Sequence, residues 1–133
     1  MRVLPLIAAA FLAAPVAANG LMQVPSGQVI VPYEFLWEDH MDEGVKGEAW
    51  LILRFLTPEI ARANGRIKFE AAEKDIEVLC TKVGLPLVAQ TGAVNQIIVN
   101  LMDKPLARGD SDPEVTQFLG AFRVETGTCE WTY

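Results

Sequence analysis

Two stretches in the first half of the chain have hydrophobic patterns that are typical of β-strands. The first runs from Val29 to Trp37, where every second residue is large and apolar or aromatic, and this period of two predicts a strand. Pro32 cannot donate a backbone hydrogen bond, so we expect this strand at the edge of a sheet. The second runs from Glu48 to Leu56, where both faces are apolar and only Arg54 interrupts them. That pattern predicts a central strand covered on both sides.

The longest helical pattern runs from about Ala71 to Val83. Its apolar residues recur at i, i+4, i+7 and i+8 and form one stripe, made of Ala72, Ile76, Leu79, Cys80 and Val83. The stripe includes a cysteine, which we therefore expect to face the core. Gly84 and Pro86 predict the end of this helix. Upstream, Thr57–Glu59 predicts the start of a short helix, and Arg66–Glu70 alternates like a short strand.

Three more strands are predicted in the second half of the chain. Asn95–Met102 and Val115–Glu125 alternate, and Cys129, Trp131 and Tyr133 share one face of a terminal strand. Most links between strands are short, which favours antiparallel pairing. The sequence therefore predicts an α+β fold: a mostly antiparallel sheet of about five or six strands with one main helix packed on one face.

The first eighteen residues have the pattern of a cleaved signal peptide. Arg2 supplies a positive charge, an apolar run of about twelve residues follows, and Pro15 breaks it. We place the cut after Ala18, so that residues 19–133 form a single α+β domain in the periplasm or outside the cell. The alternative is a membrane anchor, but a spanning helix needs roughly 20 apolar residues. After cleavage we expect no membrane anchor.

Acidic residues outnumber basic ones, 17 to 11, and the formal net charge is −6. This balance argues against binding nucleic acid or an anionic membrane surface through overall electrostatics. Phosphate-binding loops of the G-x-x-x-x-G-K type are absent, and we expect no cofactor.

The chain has two cysteines, Cys80 and Cys129. In an oxidising compartment an isolated pair usually forms a disulfide, which here would join the main helix to the last strand. The alternatives are a redox pair or a zinc site. Redox pairs usually have the C-x-x-C spacing, which is absent, and zinc would need two more ligands where the chain offers only His40 as a histidine.

Candidate chemistry is concentrated after the first strand. Trp37 is the tryptophan with the best chance of exposure, for stacking on a ligand, and Glu38, Asp39 and His40 follow it directly. Oxygen ligands with an imidazole could hold a divalent cation, but no defined ligand spacing is present, so no metal site is expected. The alternative is that Trp37 packs at the rim of the sheet and that the rest is a solvated loop.

Several short segments recur in the order of a known family. They are Val24–Gln28, Arg54–Phe55 ahead of Pro58–Arg62, Asp75–Cys80 with Gly84–Pro86 after it, and Thr116–Gln117 leading to Phe122–Arg123 and Cys129–Trp131. Through them the chain resembles a family of small exported proteins of unknown function from alphaproteobacteria. The resemblance supports pairing of the two cysteines and implies a periplasmic location. Some members are called acetolactate synthase, but that activity would need several hundred residues and a thiamine site. In the family pattern an acid follows the aromatic residue after Thr-Gln, whereas this chain has Leu119–Gly120, so a shared carboxylate site at that strand is not supported.

The sequence leaves the function unknown and favours an interpretation without catalysis. The leading hypothesis is a periplasmic domain that binds a protein or a small envelope ligand, with the edge strand as one route to a partner. One alternative is a small hydrolase that uses Glu38, Asp39, Asp42 and Glu43. Another is a structural or oligomerising component of the cell envelope. No catalytic residue is assigned.

Overall fold

We describe a computed structural model of the chain, covering residues 23–40 and 47–132. The predicted signal peptide lies outside the described residues, as do Asp42, Glu43 and Tyr133. No helix within the described ranges is long and apolar enough to cross a membrane.

The described residues form one five-stranded sheet. Its strands are β1 (Val31–Asp39), β2 (Ala49–Leu56), β3 (Gln96–Met102), β4 (Gln117–Arg123) and β5 (Glu130–Trp131). They lie side by side in chain order, and every neighbouring pair is antiparallel except β2 and β3, which are parallel. The mostly antiparallel α+β fold predicted from the sequence is confirmed.

The helical layer lies between β2 and β3 in the chain. It consists of α1 (Phe69–Leu79), a π-helical turn (Cys80–Gly84) and α2 (Leu85–Thr91), which follow one another without a break. A short 3₁₀ helix, Pro58–Ile60, follows β2. The expected strand at Arg66–Glu70 is wrong: Phe69 and Glu70 begin α1, because the apolar stripe of the helix outweighs a brief alternation.

The helical layer crosses one face of the sheet from β4 to β1. Ile76 of α1 lies against Gly120 of β4, and Gly84 lies against Ile97 of β3 and Leu53 of β2. Side chains on this covered face make up most of the buried core. The other side of the sheet, which we call the open face, carries no helix among the described residues. We expect the core on the covered face to be the main source of stability, because burial of apolar surface dominates folding.

The predicted disulfide is present between Cys80 and Cys129, with a Cα–Cα distance of 6.4 Å. Cys80 is fully buried at the start of the π-helical turn, and Cys129 directly precedes β5. The bridge therefore joins the middle of the helical layer to the last strand, as the sequence predicted.

Candidate functional site

The four residues singled out from the sequence lie at the end of β1 but do not form one cluster. Trp37 lies opposite Leu51, on the covered face, and its side chain is 48% exposed. Glu38 lies on the open face, and Asp39 is exposed at the last position of the strand. Because neighbouring residues of a strand point to opposite faces, Trp37 cannot share a binding surface with Glu38.

Glu38 is the centre of an ion-pair cluster on the open face. Both of its carboxylate oxygens accept hydrogen bonds from Arg108, at 2.9 and 3.1 Å, and Oε1 lies 3.0 Å from His40 Nε2. The imidazole of His40 also stacks on Trp50, with the ring centroids 4.0 Å apart. The hydrogen bonds from Arg108, assisted by His40, lower the pKa of Glu38 even though partial burial opposes this. Nothing in the sequence pointed to Arg108, which lies 70 positions from Glu38.

Glu48 forms a second polar cluster beside the first. Trp50 Nε1 and Gln96 Nε2 donate to its Oε1, at 3.0 and 2.9 Å, and Arg123 lies 2.8 Å from its other oxygen. These hydrogen bonds, with that from Trp50 the largest cause, lower the pKa of Glu48 to about 2. The carboxylate is therefore ionised throughout the physiological pH range.

These two clusters do not have the electrostatics of a general acid. A carboxyl group that donates a proton near neutral pH needs a raised pKa, whereas the pKa values of Glu38 and Glu48 are both lowered. In residues 23–40 and 47–132 no group of three or more His, Cys, Asp or Glu side chains could hold a metal ion. The Glu38 cluster instead joins β1 to the segment after β3, and the Glu48 cluster joins β2, β3 and β4, both on the open face.

A buried polar cluster joins the start of the described chain to α1. The carboxylate of Asp75 is fully buried and accepts three hydrogen bonds, from Ser26 N at 2.9 Å, Ser26 Oγ at 2.5 Å and Gln28 Nε2 at 2.7 Å. The Oε1 atom of Gln28 has no hydrogen-bond partner among the described residues. Among the described residues the Ser26 hydroxyl has only the Asp75 carboxylate as a basic neighbour, and it has no histidine beside it as in a hydrolase triad. The cluster is a clamp for the chain ahead of β1.

Arg54, the one charged residue in β2, is buried on the open face. Its guanidinium group donates to Glu34, to Asn100 Oδ1 at 3.2 Å and to the Leu106 carbonyl at 2.5 Å. The ring of Tyr33 lies 5.6 Å from its central carbon. Because its charge is paired and its donors are used, Arg54 ties β1, β3 and the Leu106 segment together.

β1 is one edge of the sheet, as Pro32 predicted, and the two-residue β5 is the other; no described segment pairs with the outer side of β1. Backbone groups along an antiparallel strand point alternately toward and away from the neighbouring strand. The N–H of His40 donates to the Glu48 carbonyl at 2.9 Å, so every second residue counted back from His40 points toward β2. The residues between them include Phe35 and Trp37. Their N–H and C=O groups therefore point away from β2, to the outer side of β1.

An apolar groove of about 280 Å³ runs beside this edge on the covered face. One wall is Pro32 and Phe35 of β1, and the other is the helical layer, with Lys82, Val83, Pro86, Leu87 and Gln90. No residue of α2 is buried, so the helix overhangs the edge and leaves its apolar side chains partly open. We call this feature the edge groove. Sequence reasoning missed it, because it predicted that the helix ends at Gly84.

Two other concave regions are larger and have more polar linings. A cleft of about 470 Å³ lies beyond the carboxyl ends of β2 and β3 and contains Arg62, Asp103, Lys104 and Glu114. Arg62 and Lys104 donate there to the carbonyls of Pro113 and Glu114, so both cations already bind the chain itself. The other region, about 390 Å³, lies on the open face over Trp50, Ile98 and Leu119.

Comparison with known proteins gives a family but no activity. A family of unknown function (DUF6497) matches residues 6–133, and the chain therefore belongs to that family. No curated protein and no solved structure is significantly similar to it.

Proposed function

We propose that this member of the family is a binding module that takes an extended segment of a partner protein along the β1 edge. The observation that carries the proposal is the edge groove beside a strand whose outer side pairs with no described segment of the chain. An open edge supplies backbone hydrogen bonds to an added strand, and an adjacent apolar groove supplies pockets for that strand's side chains. The two features meet at Phe35, which lines the groove and points its backbone outward.

The edge strand exposes large apolar side chains on both of its faces. Large apolar or aromatic side chains are exposed along and before β1: Val29, Val31, Tyr33 and Trp37 are each between 41% and 60% accessible. Scattered exposed apolar residues are ordinary, but a row of them on one edge is typical of a surface that is covered by a partner. This row supports a protein partner over a small polar ligand.

The proposal includes an extracytoplasmic location, in the periplasm of an alphaproteobacterium. It takes residues 1–18 as a cleaved signal peptide and residues 19–133 as the mature, single domain, acting without a catalytic residue or cofactor. The Cys80–Cys129 disulfide supports this location, because disulfides are rare in a reducing cytosol.

The experiment is a pull-down from envelope extract with three forms of the oxidised domain: wild type, Leu87→Gln and Leu119→Gln. Leu87 lines the edge groove, whereas Leu119 is 49% exposed on the open face. Both changes replace the same apolar side chain by the same polar one. We expect Leu87→Gln to reduce recovery of the partner by about tenfold, the effect of losing roughly 1.4 kcal/mol of apolar contact. Leu119→Gln should recover it like wild type.

Circular dichroism and a thermal melt of each variant control for unfolding. Equal recovery of the same partner by all three folded proteins would contradict the edge-groove proposal. Loss with Leu119→Gln alone would move the binding surface to the open face.

A further inference from the structure

We infer that the partner segment is a basic amphipathic strand, in which apolar side chains alternate with lysine or arginine. The inference rests on the proposed function, because it describes the occupant of the edge groove. It follows from two properties of β1: which side chains flank an added strand on each face, and what charge the strand carries.

The alternation follows from strand geometry. An added strand continues the pleat of the sheet, so its side chains point alternately to the covered face and to the open face. On the covered face they enter the edge groove, against Phe35, Val83 and Leu87. On the open face they lie beside the side chains of Glu34, Leu36 and Glu38. An apolar residue suits the first environment, and a long cationic residue suits the second.

The charge follows from the composition of the edge. β1 has three carboxylates, Glu34, Glu38 and Asp39, and no lysine or arginine. Glu34 accepts from Arg54 through Oε2, and its side chain is 35% accessible. Glu38 accepts from Arg108 through both oxygens, lies 3.0 Å from His40 and is 25% accessible. Asp39 points to the covered face. Because a carboxylate has about four acceptor sites, Glu34 and Glu38 can each accept one further donor from a partner. A cross-strand cation beside them is favourable, and a cross-strand anion is not.

A second copy of this chain fits the edge poorly. Pairing β1 with itself would bring two strands together that carry only acidic charges, on chains with a formal net charge of −6 each. Like charges directly across a strand pair are destabilising. Pro32 and the register shift between Pro32 and Glu34 interrupt the edge, so that any added strand is limited to the part of β1 from Glu34 onward. The occupant is therefore a different chain with basic character.

Three labelled peptides test the inference by fluorescence anisotropy. Each is capped and about seven residues long, the usual length of a strand. The first alternates valine with lysine, the second has the same composition with the valines and lysines in separate blocks, and the third alternates valine with glutamate. We expect the first to bind at least about tenfold more tightly than either control, and its affinity to fall as salt is added.

The groove variants distinguish failure of the edge groove as a binding site from failure of the predicted partner sequence. Leu87→Gln should weaken the valine–lysine peptide about tenfold and Leu119→Gln should not. Equal binding of the lysine and glutamate peptides, both sensitive to Leu87→Gln, would overturn the basic character and leave the edge groove standing. Equal binding of the alternating and block peptides would overturn the strand pattern. Binding of none of them would overturn the inference, while the fate of the proposed function is decided by the pull-down.

Discussion

Replacing both cysteines by alanine is expected to lower the free energy of unfolding by about 4 kcal/mol. The bridge joins residues 49 positions apart, and its removal lets the unfolded chain regain the entropy that closing such a loop had cost. Cys80 is also fully buried in the core, so the loss of its sulfur adds a small cavity. A stability of about 5–15 kcal/mol is usual for a domain, so the double variant should keep roughly 1–11 kcal/mol of it.

Urea unfolding followed by circular dichroism measures this difference. The wild-type protein unfolded in the presence of a reductant is the matched control, because it loses the bridge without changing a side chain. Its free energy of unfolding should be close to that of the double variant. If the reduced wild type and the double variant each lost less than about 1 kcal/mol of stability, the bridge would contribute little to the free energy of unfolding.

The Asp75→Ala variant is expected to lose about 3 kcal/mol of stability. Its buried carboxylate accepts three hydrogen bonds, and hydrogen bonds to charged groups are worth about 1.5–3 kcal/mol each when taken singly. The contributions of the three hydrogen bonds are not additive. We therefore expect a total loss near the upper end of the range for a single hydrogen bond. The change also leaves Gln28 Nε2 buried without an acceptor, next to an Oε1 atom that already has no described partner.

The Asp75→Asn variant tests whether the carboxylate itself matters. It keeps the size of the side chain but replaces one acceptor oxygen by a donor, which faces the donors of Ser26 or Gln28. We expect a smaller loss than for alanine, measured by the same urea unfolding. A loss within about 0.5 kcal/mol for both variants, as for an ordinary surface change, would show that the clamp does not hold the start of the chain.

The sheet could be predicted from the sequence because its strands alternate clearly. Pro32 placed β1 at the edge, and the two apolar faces of β2 placed it inside the sheet, where it lies between β1 and β3 and its residues from Leu51 to Phe55 are buried. Cys80 could be placed in the core because it lies in the apolar stripe of the helix. Each of these features depends on local patterning, which the sequence contains directly.

The end of the helix could not be predicted in the same way. Gly84 and Pro86 usually end a helix, but here the backbone makes a π-helical turn at Cys80–Gly84 and continues to Thr91. Pro86 is then in the first turn of α2, where its missing N–H has the least effect. Gly84 is needed for packing: a Cβ atom there would lie 2.7 Å from Ile97 Cδ1. The helix that continues to Thr91 forms one wall of the edge groove. Because the sequence did not predict this part of the helix, it did not predict the groove either.

The contacts of the predicted site residues were also beyond the sequence. Trp37 and Glu38 are neighbours in the chain, but the pleat of the strand sends them to opposite faces. The arginine that binds Glu38 comes from a segment without periodicity, at Arg108. The lone Arg54 within an apolar strand was the one local signal of a buried polar cluster, and its partners become apparent only when β1 and β3 are placed beside it.

The central claim is that a partner strand pairs with the outer side of β1, and amide exchange at Phe35 and Trp37 tests it most directly. Both N–H groups point away from β2, so they should exchange quickly in the free domain. Hydrogen–deuterium exchange followed by NMR, before and after adding the partner recovered with the wild-type protein, should show both amides slowed by at least about tenfold. Unchanged exchange at these two amides in a complex that has formed would contradict strand addition at this edge.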